Sequence, residues 1–277
     1  MGSMRAAVYS VNGPARDVLS IAELPTPSPG PGEVRVKLAF SGVNPSDVKT
    51  RLGLRAKLAF PQVVPHSDGA GVIDQVGDGV SPSRIGERVW TWNAQWERAF
   101  GTAAEFVVLP SAQAVALPEA VDLASAACLG VPALTAYHAV AMDGGVKDRV
   151  VLVAGGAGSV GHYAVQLAKL KGARRVIASV SGPEKAALAR EAGADDVVNY
   201  RTEQLVERVM ALTGGHGVDR IVEVDFAANV NADLELVVRE GDIVPYGSGL
   251  AQIAVPFFPA IVKNVRVRFF IVCASPS

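Results

Sequence analysis

The sequence predicts a two-domain α/β chain: a partly open β-barrel over residues 1–122, then a doubly wound parallel sheet over residues 123–277. Three observations carry that expectation. The 277 residues are 49% apolar and 19% charged, enough to bury a sizeable core. The first half reads as short alternating segments punctuated by Gly and Pro. After Arg149, strand and helix signals alternate in units of roughly thirty residues, the rhythm of βαβ crossovers.

Taken in order, Met1-Gly2-Ser3 reads as a leader added ahead of a native start at Met4, with no signal-peptide pattern. Pro25, Pro27, Pro29 and Pro31 form an approach that cannot be helical. Glu33 to Phe40 then alternates polar and apolar, as a half-buried strand does. Further strands are expected at 70–76, 88–92 and 105–109, with turns at Gly77-Asp78-Gly79 and Ser81-Pro82-Ser83 between them. Leu123 to Met142 carries no charge, yet Ser125, Gly130, Pro132 and His138 interrupt it. A buried helix, a turn and a second helix are expected there, not a membrane span. Strands follow at 150–154, 175–179, 196–199, 219–224 and 242–245. Val160, Ala164, Leu167 and Ala168 have the spacing of one buried helical face. Ser181-Gly182-Pro183-Glu184 has the spacing of a capping box. Val265 to Val272 reads as an edge strand.

Charge and cysteine content exclude several classes. Lys plus Arg is 26 and Asp plus Glu 27, and no basic run occurs, so nucleic acid is not the expected partner. Two cysteines, Cys128 and Cys273, exclude a disulfide framework and a four-cysteine zinc lobe, and fit a reducing cytoplasm. The four histidines do not pair at ligand spacing, and no metal is expected. In His66-Ser67-Asp68, Asp68 reads as a turn or cap residue and His66 as lining a pocket or loop.

The strongest motif is Gly156-Ala157-Gly158-Ser159-Val160-Gly161, a G-x-G-x-x-G that follows an apolar strand and opens a helix. Its first glycine permits a tight turn, the second a close backbone approach to pyrophosphate, the third close helix packing. Free amides and the helix dipole then favour an anion. An NAD site has an acid about 20 residues on. Residues 174–181 carry none, Ser181 can donate a hydrogen bond, and Lys185 brings a cation. NADP(H) is the expected cofactor. Read alone, Asn44 before Pro45 is an ordinary turn residue, and Tyr200 caps a sheet edge.

These residues resemble the zinc-independent quinone oxidoreductase, or zeta-crystallin-like, branch of the medium-chain dehydrogenase/reductase superfamily. The resemblance runs along essentially the whole chain. It rests on Ser41–Asp47, Ser67–Ile73, Gly77–Val80, Gly86–Val89, Gly130–Tyr137, Gly155–Gly161 and Gly193-Ala194-Asp195. It implies a GroES-like catalytic barrel and a Rossmann cofactor domain with the active site in the cleft between them. Zinc alcohol dehydrogenases of the superfamily have a catalytic Cys where Asn44 stands, a zinc-ligand His near Ser67 and a last metal ligand near Gly130; all three are substituted here. The resemblance implies that Asn44 faces the nicotinamide, that Thr135 contacts its end of the cofactor, and that Lys185 and Tyr200 hold the 2′-phosphate. It further implies a homodimer, and a last segment returning to the barrel, before which this sequence stops. The family often has a Tyr near the pocket where Lys49 stands.

The expected reaction is NADPH-dependent reduction of a quinone or α,β-unsaturated carbonyl without zinc, using Asn44 and Thr135. Enoyl-thioester reduction and non-catalytic NADPH binding are the alternatives.

Overall fold

The computed structural model describes residues 2–54 and 57–274, and the chain gathers into two compact units, Met1–Val131 and Pro132–Ser277. In the first unit, β1 (Ser3–Val8) and β2 (Ser20–Pro25) form an antiparallel hairpin. A second sheet contains β3 (Glu33–Gly42), β4 (Asp68–Val76), β5 (Arg88–Thr91), β6 (Phe106–Pro110) and β7 (Ala114–Ala116). Its order is β6-β3-β4-β5-β7, antiparallel throughout. The alternation expected of β3 is present: Val34 and Val36 are buried with Ile73, Val89 and Leu109, while Arg35 turns out to pair with Asp74. The register between β3 and β4 shifts twice. Gly71 lies at the second shift, where a Cβ would stand 2.0 Å from the Lys37 carbonyl oxygen, so only glycine fits. The short helices α1 (Ala15–Val18), α2 (Pro45–Arg51) and α3 (Leu123–Ala126) complete the unit. Asp122 caps α3 by accepting the Ser125 N–H.

The uncharged stretch is indeed two helices joined by a turn. α3 leads into a π-helical turn, Leu129–Ala133, and then α4 (Leu134–Ala141) in the second unit. Among the described residues no helix is long and apolar enough to cross a membrane.

The second unit holds β8 (Val150–Val153), β9 (Arg175–Val180), β10 (Asp196–Asn199), β11 (Val218–Glu223), β12 (Val237–Pro245) and β13 (Arg266–Val267). They form one parallel sheet in the order β10-β9-β8-β11-β12-β13. That is the doubly wound order, third-second-first-fourth-fifth-sixth. Helices α5 (Ser159–Leu170), α6 (Pro183–Glu191), α7 (Leu205–Leu212), α8 (Phe226–Leu236) and α9 (Phe257–Lys263) accompany it. Each face has its own core. Val151 and Val153 enter one with Ala164, Ala168 and Val176; Val150 and Leu152 enter the other with Ile177, Phe226 and Leu234. A strand covered on both faces must be apolar at every position, which is why β8 reads as a continuous run. Val160 and Leu167 pack on the first core beside Ala164 and Ala168, so the expected face of α5 is the buried one.

A buried charge cluster ties this unit together. The Arg220 guanidinium is fully buried. It donates to the Ala139, Val140 and Met142 carbonyls at the end of α4 and to Asp242. Asp242 also accepts from Arg149 and Arg266.

Two expectations need correction. The capping box at Ser181 does not form: α6 starts at Pro183 with Gly182 as its N-cap and no side-chain cap. Pro183 sets the helical φ itself, which leaves Ser181 one residue too early to cap. The strand expected over Val265–Val272 pairs only at Arg266 and Val267. Arg268 still donates to the Ile243 carbonyl. The next parallel bond would need an N–H from Pro245, which has none, and the ladder ends.

Candidate active site

Each unit carries candidate residues of its own. In the second, β8 runs into the glycine loop and α5 leaves it. The tight turn falls at Gly155, whose φ is 66°, one residue before the turn glycine expected from the motif. Gly156 serves packing instead: a Cβ there would lie 2.6 Å from the Ala178 Cβ. Gly161 lets α5 close on the loop, since a Cβ would meet the Gly155 carbonyl oxygen at 2.2 Å. Gly158 is the N-cap of α5, and the bond from the His162 N–H to its carbonyl opens the helix. The amides of Ser159, Val160 and Gly161 precede that first bond, so helix geometry leaves them without intrahelical acceptors. Such a turn, with Ala157 between its two glycines, has the free amides that can receive a phosphate.

The loop hangs on the end of β9. Gly156 N–H donates to the Ser179 carbonyl at 3.0 Å, and Gly155 N–H to Ser179 Oγ at 3.2 Å. Ser181 follows β9 directly, and Lys185 is exposed in the first turn of α6. Tyr200, half exposed, donates its backbone N–H to the Val180 carbonyl. The fold thus gathers the glycine loop, Ser181, Lys185 and Tyr200 at the carboxyl ends of β8, β9 and β10, where open parallel sheets bind ligands. Thr135 sits buried in the first turn of α4.

At the carboxyl end of β11, next to β8 where strand order reverses, Glu223 is fully buried. Its Oε1 accepts from the Asp225 N–H and from Asn229 Nδ2. Its other oxygen and Asp233 Oδ2 are buried with no donor among the described residues. Two neighbouring carboxyls can satisfy each other by sharing a proton. Burial first, then the Glu223 charge, pushes Asp233 up to about 9. Nothing in the sequence pattern pointed to this pair.

In the first unit, Asn44 is the buried N-cap of α2, its N–H donating to Asp47 Oδ2 at 2.7 Å. Its side chain does something a plain turn residue does not: Nδ2 donates to Asp68 Oδ2 at 2.8 Å. Asp68 is no turn or cap residue. It opens β4, is 1% exposed, and both its oxygens accept from the Val131 N–H, at 2.9 and 2.8 Å. Gly130 makes this possible, because a Cβ there would lie 2.1 Å from Asp68 Oδ1. Burial pushes the carboxyl up to about 7 against the pull of the Val131 and Asn44 bonds.

Behind it runs a polar chain. Thr102 Oγ1 donates to the Asp68 carbonyl at 2.6 Å, Ser41 Oγ lies 2.9 Å from Thr102 Oγ1, and His66 Nδ1 lies 2.9 Å from Ser41 Oγ. Thr102 has one proton and spends it on Asp68, so Ser41 must donate to Thr102 and His66 Nδ1–H to Ser41. The imidazole is therefore the Nδ1–H tautomer. Burial and then Arg51 lower its pKa, which keeps it neutral. His66 holds a left-handed φ of 79°, unusual outside glycine.

Residues 30–119 match the alcohol dehydrogenase GroES-like domain family, and residues 159–277 the zinc-binding dehydrogenase family. The chain is 32% identical to the quinone oxidoreductase of Homo sapiens over 248 residues, 88% of this chain and 73% of that protein. It is 32% identical over 256 residues to a 2-haloacrylate reductase of a Burkholderia species, 90% of this chain and 75% of that one. The crystal structure of Escherichia coli quinone oxidoreductase complexed with NADPH superposes with a TM-score of 0.83 at 27% identity, covering 97% of this chain and 81% of that one. The zinc in the matched family's description finds no fit here. Among the described residues no three His, Cys, Asp or Glu side chains converge. The position of Gly130 has no side chain, and the Asp68 oxygens are taken up by Val131 and Asn44.

Proposed function

We propose that this chain, which belongs to the quinone oxidoreductase branch of the medium-chain dehydrogenase/reductase superfamily, transfers hydride from NADPH to a quinone or an α,β-unsaturated carbonyl compound without a catalytic zinc. NADPH, when bound, supplies the hydride. The amides of Ser159, Val160 and Gly161 receive its pyrophosphate, and Ser181, Lys185 and Tyr200 receive the 2′-phosphate. Thr135 orients the nicotinamide end. Asn44 donates an N–H to the acceptor oxygen as negative charge develops there. A quinone is already electrophilic, so an amide donor suffices where a metal would polarise a simple ketone.

The observation that carries this reading is the end of β9. Ser181 follows that strand, the Tyr200 N–H bonds Val180 at its end, Lys185 stands in the first turn of α6, and no carboxylate falls between residues 174 and 181, which suits a 2′-phosphate and would leave NAD without its ribose partner. The test is the rate of NADPH oxidation against a panel of small quinones, with NADH and an unsaturated thioester as controls. Quinone turnover selective for NADPH is expected. Equal rates with NADH would overturn the phosphate assignment. Silence on every acceptor, from protein that binds NADPH, would leave a binding role. A second reading, reduction of an activated C=C bond, is favoured by the similarity to the 2-haloacrylate reductase.

A homodimer and a cytoplasmic location complete the proposal. β13 is a sheet edge, and Phe257, Phe258, Ile261 and Phe269 of the same unit are exposed. A second copy would cover such a surface. A monomeric mass by solution scattering would refute the dimer.

A further inference from the structure

We propose that Asp68 is a positioning residue for this reaction: its carboxylate fixes the Asn44 side-chain amide with Nδ2 turned toward it, leaving the second N–H of a held amide for the acceptor. The inference rests on the role given to Asn44 above. An asparagine side chain is nearly symmetric in shape, and only its partners decide which end faces which way. Above a pH of about 7 the Asp68 carboxyl is ionised, and a carboxylate accepts and does not donate. With Asn44 Oδ1 in place of Nδ2, two acceptors would face each other at 2.8 Å in a buried site. The carboxylate therefore selects one of two amide orientations.

Asp68 is itself held on every side. Val131 N–H bonds both oxygens from the π-helical turn, and Thr102 fixes the backbone carbonyl. The Gly130 backbone presses on Oδ1, and a Cβ at Gly42 would stand 3.0 Å from the Asp68 Cβ and 2.2 Å from the Ala127 carbonyl oxygen. The surrounding elements bring one carboxylate to bear on it, Asp47 of α2, whose Oδ2 accepts the Asn44 backbone N–H. Asn44 is thus gripped at its backbone by one acid and at its side chain by another. Enclosed in this way, Asp68 acts through Asn44 and does not reach the acceptor. The arrangement also explains the chemistry of the position. An ion pair or metal would bring its own charge to Asp68, whereas a neutral amide can be oriented by the carboxylate and remain a donor.

The test is a double-mutant cycle of Asn44→Ala and Asp68→Asn, read as kcat, KM and NADPH affinity. Asp68→Asn keeps the shape and one acceptor oxygen, so the fold persists, but it no longer excludes the wrong amide orientation. Alone it is expected to lower kcat roughly tenfold, the lower end of what is lost when an orienting outer residue is removed, with NADPH affinity unchanged. On the Asn44→Ala background it is expected to change kcat by no more than about twofold. Equal losses on both backgrounds would overturn the proposal. A second readout does not depend on turnover. The Asn44 side-chain amide, identified in an asparagine-labelled NMR spectrum by its loss in Asn44→Ala, is expected to show one strongly downfield, slowly exchanging proton that Asp68→Asn abolishes. An ordinary, freely exchanging amide in the wild type would overturn the proposal even if every quinone is reduced. The shifted resonance without any turnover would leave the Asp68–Asn44 hold standing and remove the reaction.

Discussion

Asn44 is both the buried N-cap of α2 and the residue whose side-chain amide donates to Asp68. Replacing it with Ala deletes the donor proposed for the acceptor oxygen. The loss of kcat expected from removing one such donor is about 10²–10³-fold, with NADPH affinity nearly intact because the nucleotide residues lie elsewhere in the chain. Steady-state kinetics and a fluorescence titration of NADPH check both halves, and unchanged turnover would remove Asn44 from the mechanism. Asn44 was visible in the sequence only through the company it keeps in Ser41–Asp47; by itself it looked like any residue before a proline. Asp68 was misread for a physical reason. Turn and cap signals are local, and Asp68 takes its partners from positions 44 and 131, far along the chain. The one hint was Gly130, a glycine in an otherwise helical stretch, which marks a close approach without naming its partner.

The glycine loop is the element most fully legible beforehand, since strand, loop and helix must follow one another in sequence to make it. Its internal division of labour was not. The positive φ belongs to Gly155, while Gly156 and Gly161 are there for contact. Gly161→Ala is expected to push the start of α5 away from the Gly155 carbonyl, because a Cβ would sit 2.2 Å from that oxygen. The amides of the first turn then lose their common aim, and NADPH affinity falls at least about tenfold, an anion contact of roughly 1.4 kcal/mol. Calorimetric titration measures it; an unchanged Kd would show that the cradle lies elsewhere. The β1–β2 hairpin went unread because Ala6, Ala7 and Ala22 carry little strand preference. The long strand expected near the end of the chain was overread, since the apolar pattern of 265–272 says nothing about a proline on the neighbouring strand.

On the scale of the whole molecule, the change of rhythm after Arg149 predicted both architectures, because an alternating sheet and a doubly covered sheet demand different patterns. What composition could not reveal is how the second unit handles charge inside its core. Glu223 and Asp233 are buried beside each other there, and one shared proton would satisfy both. Asp233 is raised by burial and by Glu223 to about 9, far above its unfolded value of 3.8, so the folded chain holds a proton that the unfolded chain releases. The associated stability is fully present below pH of about 4 and is lost progressively as pH rises through about 9. Asp233→Asn cannot ionise and still offers Glu223 a donor. Its melting temperature is expected to gain on the wild type steadily between pH 5 and pH 9, by scanning calorimetry at low salt. A difference independent of pH would rule out the shared proton. Elsewhere in the unit, Pro245 halts the pairing of β13 after two residues. The outermost strand therefore offers a stray peptide almost no bare ladder to zip onto. Concentrated solutions of this protein should resist growth into cross-β fibrils from that side, protected by the one residue of β12 that has no hydrogen to lend.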